Sequence, residues 1–167
     1  EAGGAPVAYV ASGADFPDAL ACSAYSFARR VPVLLTKRDT LPTSTKSALT
    51  SLGITNVVLA GGPRAVSTAV QTAIDAIPHV GVQRLEGEDR YLTAGAIAED
   101  AVSRGWATWG YLGIASGRNF PDTLSGAAAC GRHGGVGLMT YPVALSGAAG
   151  AMGALHADVL PISGVYA

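Results

Sequence analysis

Short apolar runs alternate with amphipathic stretches along the whole chain. The runs are seldom interrupted by polar residues, which is typical of strands in a parallel sheet whose two faces are both covered. They predict strands at residues 7–11, 31–36, 56–60, 80–85, 110–115, 136–140 and 159–163. Two of the intervening stretches have helical periodicity. Their apolar faces are Val66, Val70, Ile74 and Ile77 in the first, and Tyr91, Ala94, Ile97, Ala98, Ala101 and Val102 in the second.

This alternation predicts an α/β fold, a Rossmann-like parallel sheet flanked by helices with right-handed crossovers. One segment of it occurs twice at an offset of 104 residues, as ASGADFPDAL at 11–20 and ASGRNFPDTL at 115–124. A duplicated strand–turn–helix segment indicates a tandem repeat. We therefore expect two units, residues 1–83 and residues 84–167, of which the second is incomplete at its C-terminal end.

The residue types of the repeated motif suit the start of a helix. In the first copy, Asp15 can cap the helix, Pro17 fits its first turn, and Asp18 can complete a capping-box-like pair. The second copy offers Asn119, Pro121 and Asp122 in the same places. The alternative is a ligand crevice at the carboxyl ends of the strands. Its lining would be Ser12, Asp15, Ser116 and Asn119.

Composition and motifs exclude several classes of protein. Apolar residues make up 49% of the 167 residues, which excludes a disordered chain, and no apolar run is long enough to span a membrane. The net charge of −1 provides no overall field for nucleic acid. The pair Gly61-Gly62 lacks the third glycine of a dinucleotide-binding turn, and no hydrolase, phosphate-loop or zinc spacing is complete. The sequence predicts no enzyme, no cofactor and no metal.

Two cysteines, Cys22 and Cys130, follow the two copies of the motif. If the two helices after the motifs pack side by side, a disulfide could join the copies. Two thiols buried separately among small residues fit the sequence equally well.

Four ordered motifs resemble the cell-wall-binding repeat type 2 family of Gram-positive surface and secreted proteins. They are YVASGADFPDALA at 9–21, PVLLT at 32–36, LGITNVVLAGGPRAVS at 52–67 and RLEGEDRYLTAGAIA at 84–98. The resemblance implies a module that attaches a secreted or surface protein noncovalently to an anionic wall polymer, such as a teichoic-acid-like or secondary wall glycan. It also implies three tandem copies around a pseudo-threefold axis. Because the chain holds fewer than two full copies, we expect further repeats or homo-oligomer partners.

The same resemblance places candidate binding or interface positions at Pro32, Val33, Leu34 and Leu35 and in the loop from Arg84 to Arg90. An anionic polymer also requires cations, which cluster along the first unit and are fewer in the second. The cationic candidates are Arg29, Arg30, Lys37, Arg38, Arg84, Arg90 and Arg118. The structural alternatives are a buried strand for the apolar segment and ion pairing at a helix start for the loop.

Two functions from other classes stay open at this point. One is a small Rossmann-like enzyme that acts on a nucleotide or a sugar. The other is a structural repeat whose contacts join several chains into an assembly.

Overall fold

A computed structural model describes residues 6–118, 120–141 and 150 of the chain. The elements in these residues are β1 (Val7–Ser12), α1 (Pro17–Ala21), α2 (Ser23–Arg29), β2 (Val33–Thr36), α3 (Thr43–Ser51), β3 (Asn56–Ala60), α4 (Thr68–Asp75), β4 (Gly81–Leu85), α5 (Arg90–Ser103), β5 (Leu112–Ser116), α6 (Phe120–Arg132) and β6 (Val136–Thr140). Six of the seven predicted strands are therefore confirmed, with ends shifted by at most two residues. The seventh, at 159–163, lies outside the described residues.

The described strands form two parallel sheets. The first has four strands in the order β2-β1-β3-β4, and the second pairs β5 with β6. Within the first sheet, Tyr9 of β1 lies opposite Val33 of β2, and the same register continues to the ends of both strands. Parallel neighbours require a crossover, and helices supply it after β1, β2, β3 and β5. The predicted α/β class, with parallel strands flanked by helices, is confirmed.

Alternate residues of β1 point into two separate cores. Ala8 and Val10 pack with Leu49 of α3 and Ile74 of α4, which cover one face of the four-stranded sheet. The predicted helical face of Val66, Val70, Ile74 and Ile77 is buried in this core, although Val66 and Ile77 lie just outside the ends of α4. Successive side chains of β1 thus enter cores on opposite faces of the sheet, so both faces are buried, as its uninterrupted apolar run predicts.

The second core connects the two sheets. Tyr9 of β1 belongs to it together with Tyr25 of α2, Ile97 of α5, Cys130 of α6 and Leu138 of β6. All five side chains are at most 2% exposed. The predicted apolar face of α5 is also buried here, apart from Val102, which is half-buried. Residues on both sides of the expected boundary at 83/84 therefore share one continuous core.

The predicted helix cap at Asp15 is wrong. Helix α1 begins at Pro17 with Phe16 in the capping position, and no side chain caps it. Because Asp15 lies one residue too early, its Oδ1 accepts a hydrogen bond only from the Phe16 amide, at 2.9 Å. Asp18 does not complete a capping pair either, whereas Pro17 occupies the first helical turn as predicted. Asn119, the equivalent of Asp15, lies outside the described residues.

The two cysteines are separately buried free thiols. Helices α2 and α6 do pack together, but Cys22 and Cys130 are not bonded to each other. The Cys22 thiol donates to the Asp18 carbonyl at 3.3 Å. Burial raises the pKa of both thiols above the ordinary value, so both are neutral packing groups at physiological pH.

Candidate functional site

Arginine side chains tie together the loops that follow the parallel strands. The Nε–H of Arg38, after β2, donates to the Arg64 carbonyl at 3.0 Å, and Nη2 of Arg64, after β3, donates to the Glu88 carbonyl at 3.2 Å. Three consecutive strand-end loops are therefore cross-linked. Each guanidinium has five N–H donors, so these bonds leave several donors for a ligand. We call the exposed side chains of Lys37, Arg38 and Arg64 the basic patch.

Arg64 was not among the residues that sequence reasoning selected. The signal that could have found it is its place directly after the Gly61-Gly62-Pro63 turn at the end of β3. Side chains in such strand-end turns face the crevice where α/β folds bind ligands. The only carboxylate in a described ion pair with the patch is Asp39, which lies 3.2 Å from Nη1 of Arg38 in an exposed contact.

The apolar segment Pro32–Leu35 lies at the edge of the four-stranded sheet next to the basic patch. The Pro32 carbonyl accepts from the Tyr9 amide at 2.9 Å, and Val33 and Leu34 are half-buried. Leu35 is 53% exposed, although its carbonyl accepts a bond from Thr45 Oγ1 at 2.6 Å. The segment is therefore not the fully buried strand that was the structural alternative, and it presents an apolar side chain beside the cations.

Arg90 joins the two copies of the repeated motif. Its Nη1 donates to the Gly117 carbonyl at 2.9 Å, while Nη2 lies 3.4 Å from Asp15 Oδ2. The guanidinium carbon also lies 5.8 Å from the centre of the Phe16 ring, a cation–π geometry. Gly117 itself sits so close to Tyr91 that a Cβ there would fall 2.6 Å from the ring. Arg90 is thus a half-buried junction residue.

The residue before it, Asp89, caps α5. Its Oδ1 accepts from the amides of Tyr91 and Leu92 at 2.9 and 2.8 Å. An N-terminal cap of this kind typically stabilises a helix by about 1 kcal/mol. In the loop from Arg84 to Arg90, Asp89 therefore starts the helix, and Arg90 directly after it is positioned to reach both copies of the repeated motif.

The guanidinium of Arg84 is directed into the protein. It donates to the carbonyls of Gly61 at 2.6 Å and Val66 at 2.9 Å and to Oε1 of Gln71 at 3.0 Å. Burial lowers its pKa from the ordinary arginine value, while nearby Glu86 opposes that shift. Because most of its donors are used, Arg84 holds the turn between β3 and α4 and keeps few bonds for a ligand.

The remaining cationic candidates lie apart from the basic patch. Arg29 donates to the Gly105 carbonyl, and Arg30 ends α2 in the left-handed conformation with φ of 55°. Both precede β2, whereas Lys37 follows it, so the length of the strand separates the two groups. Arg118 is exposed after β5, and its amide donates to Ser116 Oγ at 3.2 Å. Of the cationic candidates before β3, only Lys37 and Arg38 lie together at the carboxyl end of β2.

The segments that follow β1 and β3 bring carboxylates to the place where a nucleotide phosphate would need cations. Asp18 packs against the Gly61 turn, and burial raises the pKa of its carboxyl; nearby Asp15 adds to the shift and Arg90 opposes it. Ser12 Oγ is also occupied, because it accepts from the Ala14 amide at 3.2 Å. These residues shape the turn and repel an anion at this point.

Two further findings concern only the described residues. Among them, no group of three or more His, Cys, Asp or Glu side chains could hold a metal ion. No helix in the same part of the chain has both the length and the apolar character needed to cross a membrane.

Fold and site together define an α/β binding module, with parallel strands whose end loops present tethered cations. The chain belongs to the Cell wall binding domain 2 (CWB2) family, which matches residues 2–71 and 84–163. The resemblance seen in its motifs is therefore confirmed. The chain is a cell-wall-binding anchoring module of the kind carried by Gram-positive surface proteins, and its location is the cell wall or cell surface.

Two curated proteins are similar to the chain in sequence. The chain is 30% identical to the N-acetylmuramoyl-L-alanine amidase LytC of Bacillus subtilis over 95 residues, which cover 57% of this chain and 19% of that protein. It is 29% identical to the amidase enhancer of the same organism over 131 residues, which cover 78% of this chain and 17% of the enhancer. The chain thus spans less than a fifth of the length of these curated relatives.

The fold is similar to those of Cwp6 and Cwp8 from Clostridium difficile. The TM-scores are 0.71 and 0.73, at 21% and 24% sequence identity. The similar regions cover 86% and 88% of this chain but only 22% and 25% of the two solved chains. At this level of identity the likeness concerns the fold alone.

Proposed function

We propose that the module binds an anionic wall polymer, teichoic-acid-like or a secondary wall glycan, and thereby anchors a secreted or surface protein of which it is part. The ligand lies across the basic patch and continues along β2, the outermost strand on that side of the described sheet. The observation that carries this proposal is the tethering of Arg38 and Arg64 by main-chain carbonyls beside the exposed Leu35. Tethered guanidinium groups lose less side-chain entropy on binding and make strong charge-assisted bonds to phosphate or carboxylate.

Exposed charges are screened by salt, with a Debye length of about 10 Å at 0.1 M ionic strength. Binding through the basic patch should therefore weaken steeply as salt is added. Of the other cationic candidates, Arg118 and Arg90 lie near the carboxyl end of β5, where they would extend the contact. Arg29 and Arg30 lie at the opposite end of β2 and would meet only a separate length of the polymer.

The module is proposed to be noncatalytic. The hydroxyl of Ser12 is held in the turn after β1, and the nearby carboxylates of Asp15 and Asp18 are occupied by Arg90 and by packing against Gly61. The amidase activity in the name of one relative concerns a protein of which this chain matches only 19%. Any enzymatic activity of the full-length protein therefore belongs to parts outside the matched region.

We also propose a Rossmann-like repeat with units at residues 1–83 and 84–167. Equivalent bonds recur at the offset of 104 residues: the Gly13 amide donates to the Thr36 carbonyl at 2.9 Å, and the Gly117 amide donates to the Thr140 carbonyl at 2.9 Å. Among the described strands, β2 and β4 have no partner on their outer sides, and Leu35 is exposed; both observations support a further repeat or a second copy of the chain as a neighbour.

Sedimentation with purified cell walls tests the polymer proposal. The doubly substituted Arg38→Gln, Arg64→Gln chain should bind at least about tenfold more weakly at low salt, because two charge-assisted contacts of about 1 kcal/mol or more are lost. The matched control is Arg132→Gln, an exposed arginine at the end of α6. Walls stripped of anionic polymers should bind neither protein. Equal sedimentation of the double variant and the control would contradict the proposed site, and undiminished binding to stripped walls would contradict the proposed ligand.

A further inference from the structure

The carboxyl end of β6 presents an aromatic ring where the carboxyl end of β2 presents a cation. At the sequence offset of 104 residues, Tyr141 takes the place of Lys37. In both copies a glycine amide of the repeated motif, Gly13 or Gly117, donates at 2.9 Å to the carbonyl directly before this position. The two strand ends therefore have the same main-chain frame but different side-chain chemistry.

The ring of Tyr141 is supported by the core and open to solvent. It lies 4.4 Å from the ring of Tyr91, centre to centre, with the two planes inclined at 50°. Tyr91 is only 6% exposed and belongs to the core that connects the two sheets, whereas Tyr141 is 41% exposed. A surface that is already held in position loses little conformational entropy when a ligand binds to it. Tyr141 is thus a positioned and accessible aromatic surface.

The described charges beside this ring balance. Arg90 donates to the Gly117 carbonyl at 2.9 Å and lies 3.4 Å from an oxygen of Asp15. Asp18 is also close: burial raises the pKa of its carboxyl, Asp15 adds to the shift and Arg90 opposes it. Arg118, directly after Gly117, adds an exposed cation. Two carboxylates therefore stand against two guanidinium groups, which leaves no excess charge to hold either a phosphate or an ammonium group.

The ring and the balanced charges together select the occupant. The face of an aromatic ring carries negative charge density, which attracts the polarised C–H bonds on the flat side of a sugar ring. The Asp15 carboxylate, which is 58% exposed, can accept hydrogen bonds from sugar hydroxyls, and the Arg118 guanidinium can donate to them. A phosphate would be repelled by the carboxylates and a cationic substituent by the guanidinium groups. A neutral pyranose is the part of a wall polymer that suits all of these groups.

We infer that Tyr141 stacks against a neutral pyranose unit of the wall polymer. The inference rests on the proposal that the module binds an anionic wall polymer, but it concerns a site distinct from the basic patch. The end of β2 then recognises the charged groups of the polymer, and the end of β6 recognises one of its sugars. The module therefore distinguishes a glycosylated polymer from an unglycosylated polymer with the same backbone charge.

Isothermal titration of the 167-residue chain with poly(glycerol phosphate), with and without glucosyl substituents, tests this inference. The glucosylated polymer should bind about two- to tenfold more tightly, the effect of one ring contact. Tyr141→Leu keeps an apolar side chain but removes the ring, so it should abolish this preference, whereas Tyr141→Phe should keep it. The matched control is Tyr111→Leu, which should also keep the preference. Tyr111 is 38% exposed at the opposite end of β5, where its ring stacks on His133 at 4.6 Å.

A second titration, with methyl glucopyranoside and followed by the NMR shifts of the tyrosine ring protons, separates this inference from the patch proposal. Saturable shifts at Tyr141 and Tyr91 are expected both in the unmodified chain and in the Arg38→Gln, Arg64→Gln protein, although the latter should bind both polymers more weakly. If neither polymer binds the unmodified chain, the patch proposal fails while the sugar-dependent shifts should persist.

Three results would overturn the inference. They are the absence of saturable ring shifts with the sugar, equal affinity of the unmodified chain for the two polymers, and a loss of affinity in Tyr141→Leu that is the same for both polymers. The last result would mean that the ring supports the fold or contacts the polymer backbone instead of a sugar.

Discussion

Replacing Arg90 with alanine should destabilise the chain by releasing one copy of the repeated motif from the other. The substitution removes a guanidinium bond to the Gly117 carbonyl, worth about 1.5–3 kcal/mol. It also removes a solvent-exposed ion pair with Asp15, worth about 0.2–1 kcal/mol, and a cation–π contact with Phe16 of about 0.5–1 kcal/mol. Arg90 is 35% exposed and Asp15 58%, so the lower parts of these ranges apply.

The total is about 2–3 kcal/mol. For a domain of 150–250 residues, each kcal/mol lowers Tm by about 2–4 °C, so Arg90→Ala should lower Tm by about 4–12 °C. Differential scanning calorimetry measures this directly. Arg118→Ala is the matched control, because Arg118 is exposed and sits at the same strand end as Gly117.

A double-mutant cycle with Asp15→Asn separates the ion pair from the carbonyl bond. The coupling energy between positions 90 and 15 should stay below about 1 kcal/mol. Arg90→Ala should therefore still cause most of its stability loss when it is introduced into the Asp15→Asn protein. If Arg90→Ala unfolds at the same temperature as Arg118→Ala, the junction contributes nothing to stability and the reasoning fails. If the whole loss disappears when Asp15 is replaced, the carbonyl bond is not the main contact.

Three other predictions concern buried groups. Burial raises the pKa of Asp18 above its ordinary value of 3.8, so the ionised carboxylate destabilises the folded chain at neutral pH. Asp18→Asn should therefore raise the urea midpoint at neutral pH. The gain should fade as the pH falls through the raised pKa of the folded chain toward 3.8, because Asp18 is then protonated in the folded chain as well. Gly61→Ala should lower the free energy of unfolding by about 1–3 kcal/mol, because φ is +100° and a Cβ would meet Asp18. The control Gly53→Ala, with φ of +63° and open space around it, should lower it by about 1 kcal/mol or less. Equal losses of stability for the two variants in chemical denaturation would refute this reasoning. A thiol reagent should modify Cys22 and Cys130 only after denaturant is added, and modification of the native chain at the rate of a free thiol would show that they are accessible.

Much of the fold could be predicted because its signals are local. The uninterrupted apolar run at 7–11 became β1, and the spacing of Val70 and Ile74 placed one side of α4 in the core. Strand and helix periodicities are set by backbone geometry, so they are readable from neighbours in the chain. The family was also readable, since its four motifs are contiguous segments.

Predictions that needed the start of a helix or the direction of a side chain were less successful. Asp15 was expected to cap α1, but the helix starts two residues later, and Asp15 instead faces Arg90 from 75 residues away. Arg84 looked like a candidate for polymer binding, yet its guanidinium is bonded to carbonyls of the preceding turn. A capping residue acts over one helical turn, and a shift of a single residue removes its bond.

The sequence by itself determined the class of fold, the order of its strands and helices, the repeated motif and the family, because each is written in contiguous residues. Only the tertiary structure decided which of the cations meet. It placed Arg64 beside Arg38, separated Arg29 from Lys37 by the length of β2, and put Arg90 between the two motifs. The physical reason is that parallel strands bring their carboxyl-end loops to one edge of the sheet, so residues distant along the chain become neighbours there.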